Sequence, residues 1–155
     1  MVTPVAPALR FQAVTKTYGA IRALKEIQLE ICVGEIVAIL GCNGAGKTTF
    51  LNLASGLKRP SKGHVQVFGY DSMAPITNKL RTALPQELSF PNHLKVGEIL
   101  KTVYAHFPGA DWKDLAHALE IESLLNRLTS ELSGGERRKL ALICSLAGNP
   151  GLAGG

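Results

Sequence analysis

Two stretches near the start of the chain, RFQAVTKTY (10–18) and IQLEICV (27–33), alternate apolar and polar positions. A period of two puts every second side chain on one face, so both are expected as antiparallel strands with one wet face. EIVAIL (35–40) does not alternate. Its apolar run at 36–40 predicts a parallel strand covered on both faces. KTTFLNLASG then reads as a short helix with Gly56 as its stop, and GHVQVFGYD alternates again before a turn at 69–71.

Beyond residue 95 the period changes. Val96, Ile99, Leu100, Val103, Tyr104 and Phe107 recur at helical spacing, and DWKD offers Asp111 as an N-cap with Asp114 three residues on. IESLLNRL continues a helical stretch. A last helix is expected over 133–147, stopped by Asn149 and Pro150. The order predicts an α/β domain: a mostly parallel sheet with flanking helices, an N-terminal antiparallel part and a helical insert.

Composition narrows the setting more than the fold. The chain has 155 residues, 46% of them hydrophobic, enough for the core of one domain. Cys32, Cys42 and Cys144 are odd in number and lack metal-ligand or disulfide spacing, which suits a reducing compartment. MVTPVAPALRFQ carries prolines and no apolar h-region, so residues 1–8 read as a flexible leader. No run approaches the roughly 18 to 20 apolar residues that span a bilayer. The net charge of +5 comes from scattered Lys and Arg with only 6% aromatics, so no stacking platform or basic stripe for nucleic acid is expected.

The chemistry concentrates in GCNGAGKT, residues 41–48, which matches G-x-x-x-x-G-K-[ST] in full between an expected buried strand and an expected helix. Glycines let the main chain curl around a phosphate with its N–H groups pointing inward, where a Cβ would obstruct. Lys47 would reach the β- and γ-phosphates of a nucleotide, and the Thr48 hydroxyl would ligate Mg²⁺. The expected nucleotide-binding set is Gly41, Asn43, Gly44, Ala45, Gly46, Lys47, Thr48 and Thr49, on a P-loop NTPase core. An ordinary glycine-rich turn is the bland alternative. Cys42 occupies a variable position of the loop among inward-facing amides.

LSGGE, residues 132–136, opens the last helix. Ser133 as N-cap and Glu136 at N3 make a capping box, but a capping box does not need Gly134 and Gly135. Two glycines bare the first helical amides to an anion arriving from outside. With the phosphate loop and LSGGERRK in this order, 85 residues from Lys47 to Leu132, the sequence resembles an ATP-binding cassette (ABC) domain over about 9–150. GLKRPSKGHVQVFGYD looks most like bacterial exporter-type cassettes.

The resemblance implies roles for further residues. Tyr18, in KTYGAIRAL, sits where the family places an aromatic that stacks on adenine. Gln86, in LPQE, matches the glutamine that touches the metal and the presumed attacking water. Ser133, Gly134 and Gly135 would contact the γ-phosphate held by another chain's loop. The implied cofactors are ATP and Mg²⁺, and the implied working unit is a homo- or heterodimer on transmembrane permease subunits. It would be peripheral on the cytoplasmic face of the membrane.

The match fails after SLAGNP. There the family continues with an aliphatic strand and Asp-Glu-Pro, whereas this sequence has GLAGG, so 151–155 reads as an atypical tail. No Asp or Glu follows Glu136, and Asp71, Asp111 and Asp114 read as turn or helix-start residues. His64, His93, His106 and His117 precede the signature and show no metal spacing. The expectation is a partial domain lacking its C-terminal part, truncated or frame-shifted, with ATP binding but little hydrolysis. Two rivals stand beside the transporter subunit: a non-transport ABC protein of the translation-factor type, and a regulatory module that binds nucleotide without hydrolysing it. A repair-type ATPase fits poorly, since a long coiled coil would separate its two signatures.

Overall fold

The structure, a computed structural model, describes residues 6–84 and 89–154. These fall into two compact units, residues 6–82 with Gly154, and residues 83–84 with 89–153.

The first unit is built on an antiparallel sheet. Strand β1 (Leu9–Tyr18) pairs on one side with β2 (Ile21–Ile31) and on the other with β3 (Lys62–Val67), and β3 turns back through residues 68–69 into β4 (Tyr70–Asp71), giving the order β2-β1-β3-β4. The alternation read from the sequence holds from Leu9 to Phe11 and is then reset by a bulge: Leu9 and Phe11 are buried, Ala13 at φ +49° is exposed, and Val14 is buried in its place. Helix α1 (Lys47–Ala54) lies on the covered face. Phe50 stacks on Phe11 with ring centroids 4.3 Å apart and planes 7° from parallel, and Leu53 is fully buried. A stacked aromatic pair adds roughly 0.5–1.5 kcal/mol to the burial of its area, so α1 has a defined seat on β1. Gly56 ends the helix at φ +64°, as its place after the last apolar residue predicts.

The strand expected at 36–40 is not formed. Residues 35–40 are irregular, no described strand pairs with them, and Ile36 (100% exposed) and Leu40 (90%) face solvent. All ladders of the four-stranded sheet are antiparallel. An inner parallel strand is stable only between two neighbours and two covering layers. Without a ladder partner among the described residues, the β-forming sequence has nothing to form against.

The second unit is helical. It holds helix α2 (Val96–Tyr104), helix α3 (Lys113–Ala118) and helix α4 (Gly134–Leu146), with 3₁₀ turns at Glu122–Leu124 and Thr129–Glu131 between α3 and α4. Leu100, Ile121, Leu140 and Ile143 are fully buried in one apolar cluster, which the Tyr104 hydroxyl ties to α4 by donating to the Ile143 carbonyl at 2.9 Å. Helix α3 starts one residue later than expected. Trp112 holds the cap position, and Asp111 instead accepts from the Lys113 N–H at 3.0 Å. Asn149, at φ +49°, closes the chain after α4 as predicted. No helix among the described residues is long and apolar enough to cross a membrane.

Candidate functional site

The loop at 41–48 is the chemical centre of the first unit. Gly44 (φ +85°) and Gly46 (φ +90°) both adopt the left-handed conformation that glycine takes without strain. Gly46 is doubly required. A Cβ there would stand 2.6 Å from the Ala23 carbonyl oxygen, because the loop rests directly on β2. Gly46 is also the cap residue of α1, and a glycine cap leaves the first amides of the helix without a side-chain acceptor. The first turn carries no acidic residue. Lys47, Thr48 and Thr49 therefore begin a helix whose positive end is uncompensated, an arrangement that favours an anion.

Lys47 closes the loop from within. Its Nζ donates to the Gly41 carbonyl at 2.7 Å and to the Cys42 carbonyl at 2.8 Å. An ammonium has three protons, so one remains for an incoming oxygen. The Ala45 N–H donates to the Cys42 carbonyl at 3.2 Å and tightens the bend, while Asn43 and Gly44 at its tip are exposed.

Tyr18 lies at the end of β1, opposite Ile21 across the hairpin turn. Ile21 is two residues from Ala23, on which the loop rests, about 7 Å along the strand. The tyrosine is 43% exposed, with the Lys16 ammonium 5.1 Å from its ring centroid. The structure thus brings Tyr18 to the part of the sheet that carries the phosphate loop. Lys16 is a neighbour that sequence reading did not single out. A Lys two positions before a Tyr on a strand is a signal only once both are known to point the same way.

In the second unit the capping box is present: the Glu136 N–H donates to Ser133 Oγ at 3.3 Å, and Ser133 N–H donates to Glu136 Oε2 at 2.7 Å. Hydrogen bonding to the carboxyl from the Ser133 N–H and from the Ser133 side chain, with Arg127 and Lys139 nearby, holds Glu136 below the usual carboxylate range. Gly134 and Gly135 differ from the loop glycines. Neither has positive φ, and a Cβ on either would meet nothing within 4 Å. Among the described residues nothing within 4 Å requires glycine at either position.

Gln86 lies outside the described residues. The four histidines stay apart from any metal-binding set, since among the described residues no group of three His, Cys, Asp or Glu side chains could hold an ion. Chemically, the first unit offers a polyanion a lysine and a helix start with neither a side-chain cap nor an acidic residue. Toward a cation it offers the exposed Thr48 hydroxyl.

Comparison with known proteins fixes the class. The family model described as ABC transporter matches residues 24–153, and the chain belongs to that family. Among curated relatives it is 29% identical over 150 residues to the sulfate/thiosulfate import ATP-binding protein CysA of Nephroselmis olivacea, covering 92% of this chain and 44% of that one. It is 34% identical over 156 residues to a putative ABC transporter ATP-binding protein of Methanosarcina mazei, covering 94% and 31%. The chain thus spans less than half the length of these relatives. A solved ATP-binding subunit of an ABC transporter shares its fold, with TM-score 0.79 and 22% identity over 94% of this chain and 64% of that structure.

Proposed function

We propose that this chain is the nucleotide-binding part of an ABC transporter's ATP-binding subunit and that it holds the polyphosphate of ATP on the 41–48 loop. The observation that carries the reading is the loop itself: left-handed Gly44 and Gly46, a helix start with neither cap nor acid, and Lys47 aimed across the opening. The amides of Gly44 and of Gly46 to Thr48 would bind the phosphate oxygens, Lys47 would neutralise the terminal phosphates, and Tyr18 would carry the base. Mg²⁺, when bound, draws charge off the phosphate oxygens; Thr48 would hold it, with Gln86 assigned to it and to the attacking water by resemblance alone.

Ser133, Gly134 and Gly135 would serve a second subunit, identical or not. The open space over both glycines supports this, because an anion on a partner's loop needs that clearance. The pair would act on transmembrane permease subunits at the cytoplasmic face of a membrane. The two relatives, an import ATP-binding protein and a putative ABC transporter ATP-binding protein, favour this over the translation-factor reading. These 155 residues place no carboxylate after Glu136. A polypeptide of this sequence is therefore expected to bind ATP without appreciable turnover, since a missing general base costs about 10² to 10⁴ in rate.

Equilibrium dialysis with labelled ATP and Mg²⁺ tests the reading. Retention by the parent chain and at least about tenfold weaker retention by Lys47→Ala are expected, the loss of one charge-assisted contact set. Equal retention by both chains would overturn the loop assignment. Phosphate release that saturates with ATP and vanishes in Lys47→Ala would overturn the turnover prediction.

A further inference from the structure

The corner that carries Tyr18 is tied to the turn at 58–62 more firmly than a hairpin end requires. Lys16 Nζ donates to the Arg59 carbonyl at 2.7 Å while standing over the Tyr18 ring, 5.1 Å from its centroid. The Thr17 N–H donates to Ser61 Oγ at 3.1 Å, the two hydroxyls lie 3.2 Å apart, and the Ser61 N–H donates to the Thr15 carbonyl at 2.8 Å. A lysine side chain on an exposed strand ordinarily keeps its rotamer freedom. Here a carbonyl fixes its head, and the fixed head lies on an aromatic face.

We infer that Lys16, anchored by the Arg59 carbonyl, is a positioning residue for the nucleotide base. It covers one face of the Tyr18 ring and so presents the other as a one-sided stacking platform, with Ser61 locking the strand end beneath it. This rests on the nucleotide reading above. The physical argument has two parts. A free tyrosine at a hairpin corner samples several rotamers, and each must be given up when a base stacks on it, whereas a ring already held by a cation on one side loses less. The cation also draws π density toward itself, which lessens the repulsion between the opposite face and the π cloud of a purine. The base is thus recognised by a rigid face rather than by hydrogen bonds, so purine triphosphates are favoured over pyrimidine ones, as larger rings stack over more area.

Two probes separate this from the phosphate loop: Mg-ATP, which has a base, and inorganic tripolyphosphate, which does not. Lys16→Met, which keeps the stem and removes the charge, is expected to weaken ATP binding by about two- to fivefold, the size of an exposed cation–π contact. Tripolyphosphate binding is expected to stay unchanged, which also verifies that the variant is folded. Lys16→Arg should restore ATP affinity, and Lys16→Met should have no further effect in a Tyr18→Ala background. Ser61→Ala should follow Lys16→Met in direction. Equal weakening of both probes would make Lys16 an ordinary phosphate-side charge and overturn the inference, as would unchanged ATP binding. A parent chain that retains neither probe would sink the loop reading and this inference together.

Discussion

Cys144 and Cys42 are both free thiols with opposite prospects. Burial between α4 and its neighbours pushes the Cys144 thiol up to about 11, so at pH 8 almost none of it is thiolate. Cys42 stands exposed on the phosphate loop, and Cys32 is exposed on the way to it. Brief alkylation at pH 8 is therefore expected to modify Cys32 and Cys42 and spare Cys144, with ATP protecting Cys42 alone. Mass spectrometry of the digested protein reads all three at once. Protection of Cys32 but not Cys42 would contradict the placement of the phosphates. The sequence identified all three as unpaired; only packing distinguishes the inert one.

At the scale of elements, the start of α4 depends on one carboxylate. Glu136 accepts from the Ser133 N–H, receives the help of the Ser133 hydroxyl at its own N–H and pairs with Arg127 at 3.2 Å. Its folded pKa is depressed, so the stabilisation is fully present above the ordinary glutamate value, about 4.3, and is lost as pH falls through the lower folded value. Amide exchange across 134–137, corrected for intrinsic rates, is expected to accelerate over that acid range. In Glu136→Gln the acceleration should be absent, because a neutral amide can fill the box at any pH. An unchanged acid response in that variant would mean another group controls the helix start. The box was legible as S-x-x-E, and the expectation that its two glycines bare the first amides was also read from the sequence. The empty space above them became evident only with the backbone in place.

Over the whole molecule, charge and apolar surface are unevenly shared. Lys and Arg outnumber Asp and Glu by ten to four across residues 1–82 and are outnumbered seven to eight beyond them, so the net charge of +5 belongs to the unit that carries the phosphate loop. A basic field there raises the local concentration of polyanions, so the proposed ATP association is expected to weaken with rising ionic strength. The same unit exposes Val33, Ile36, Val37 and Leu40 along residues 33–40. An apolar β-forming stretch without a ladder partner is a template for pairing with other chains. Val37→Lys is expected to raise the concentration at which the 155-residue polypeptide associates, as followed by light scattering, with ATP retention kept. Faster association in that variant would show that another surface drives it.

By itself the sequence determined the elements whose stability is local or periodic. These are the strands at 9–18 and 62–67, the amphipathic α2, the Ser133–Glu136 box, the stop at Asn149, and the glycine loop at 41–48 that leads into α1. Such features are written in neighbouring residues, because hydrogen bonds and side-chain faces within one element set them. The tertiary structure alone decided what depends on partners distant in the chain. Residues 36–40 have every property of an inner strand and are not one among the described residues, since a ladder needs a second strand. Lys16 became a brace for Tyr18 only because residues 59–61 fold back to hold it. Periodicity records which surfaces need cover, but whether cover arrives is a property of the assembled chain.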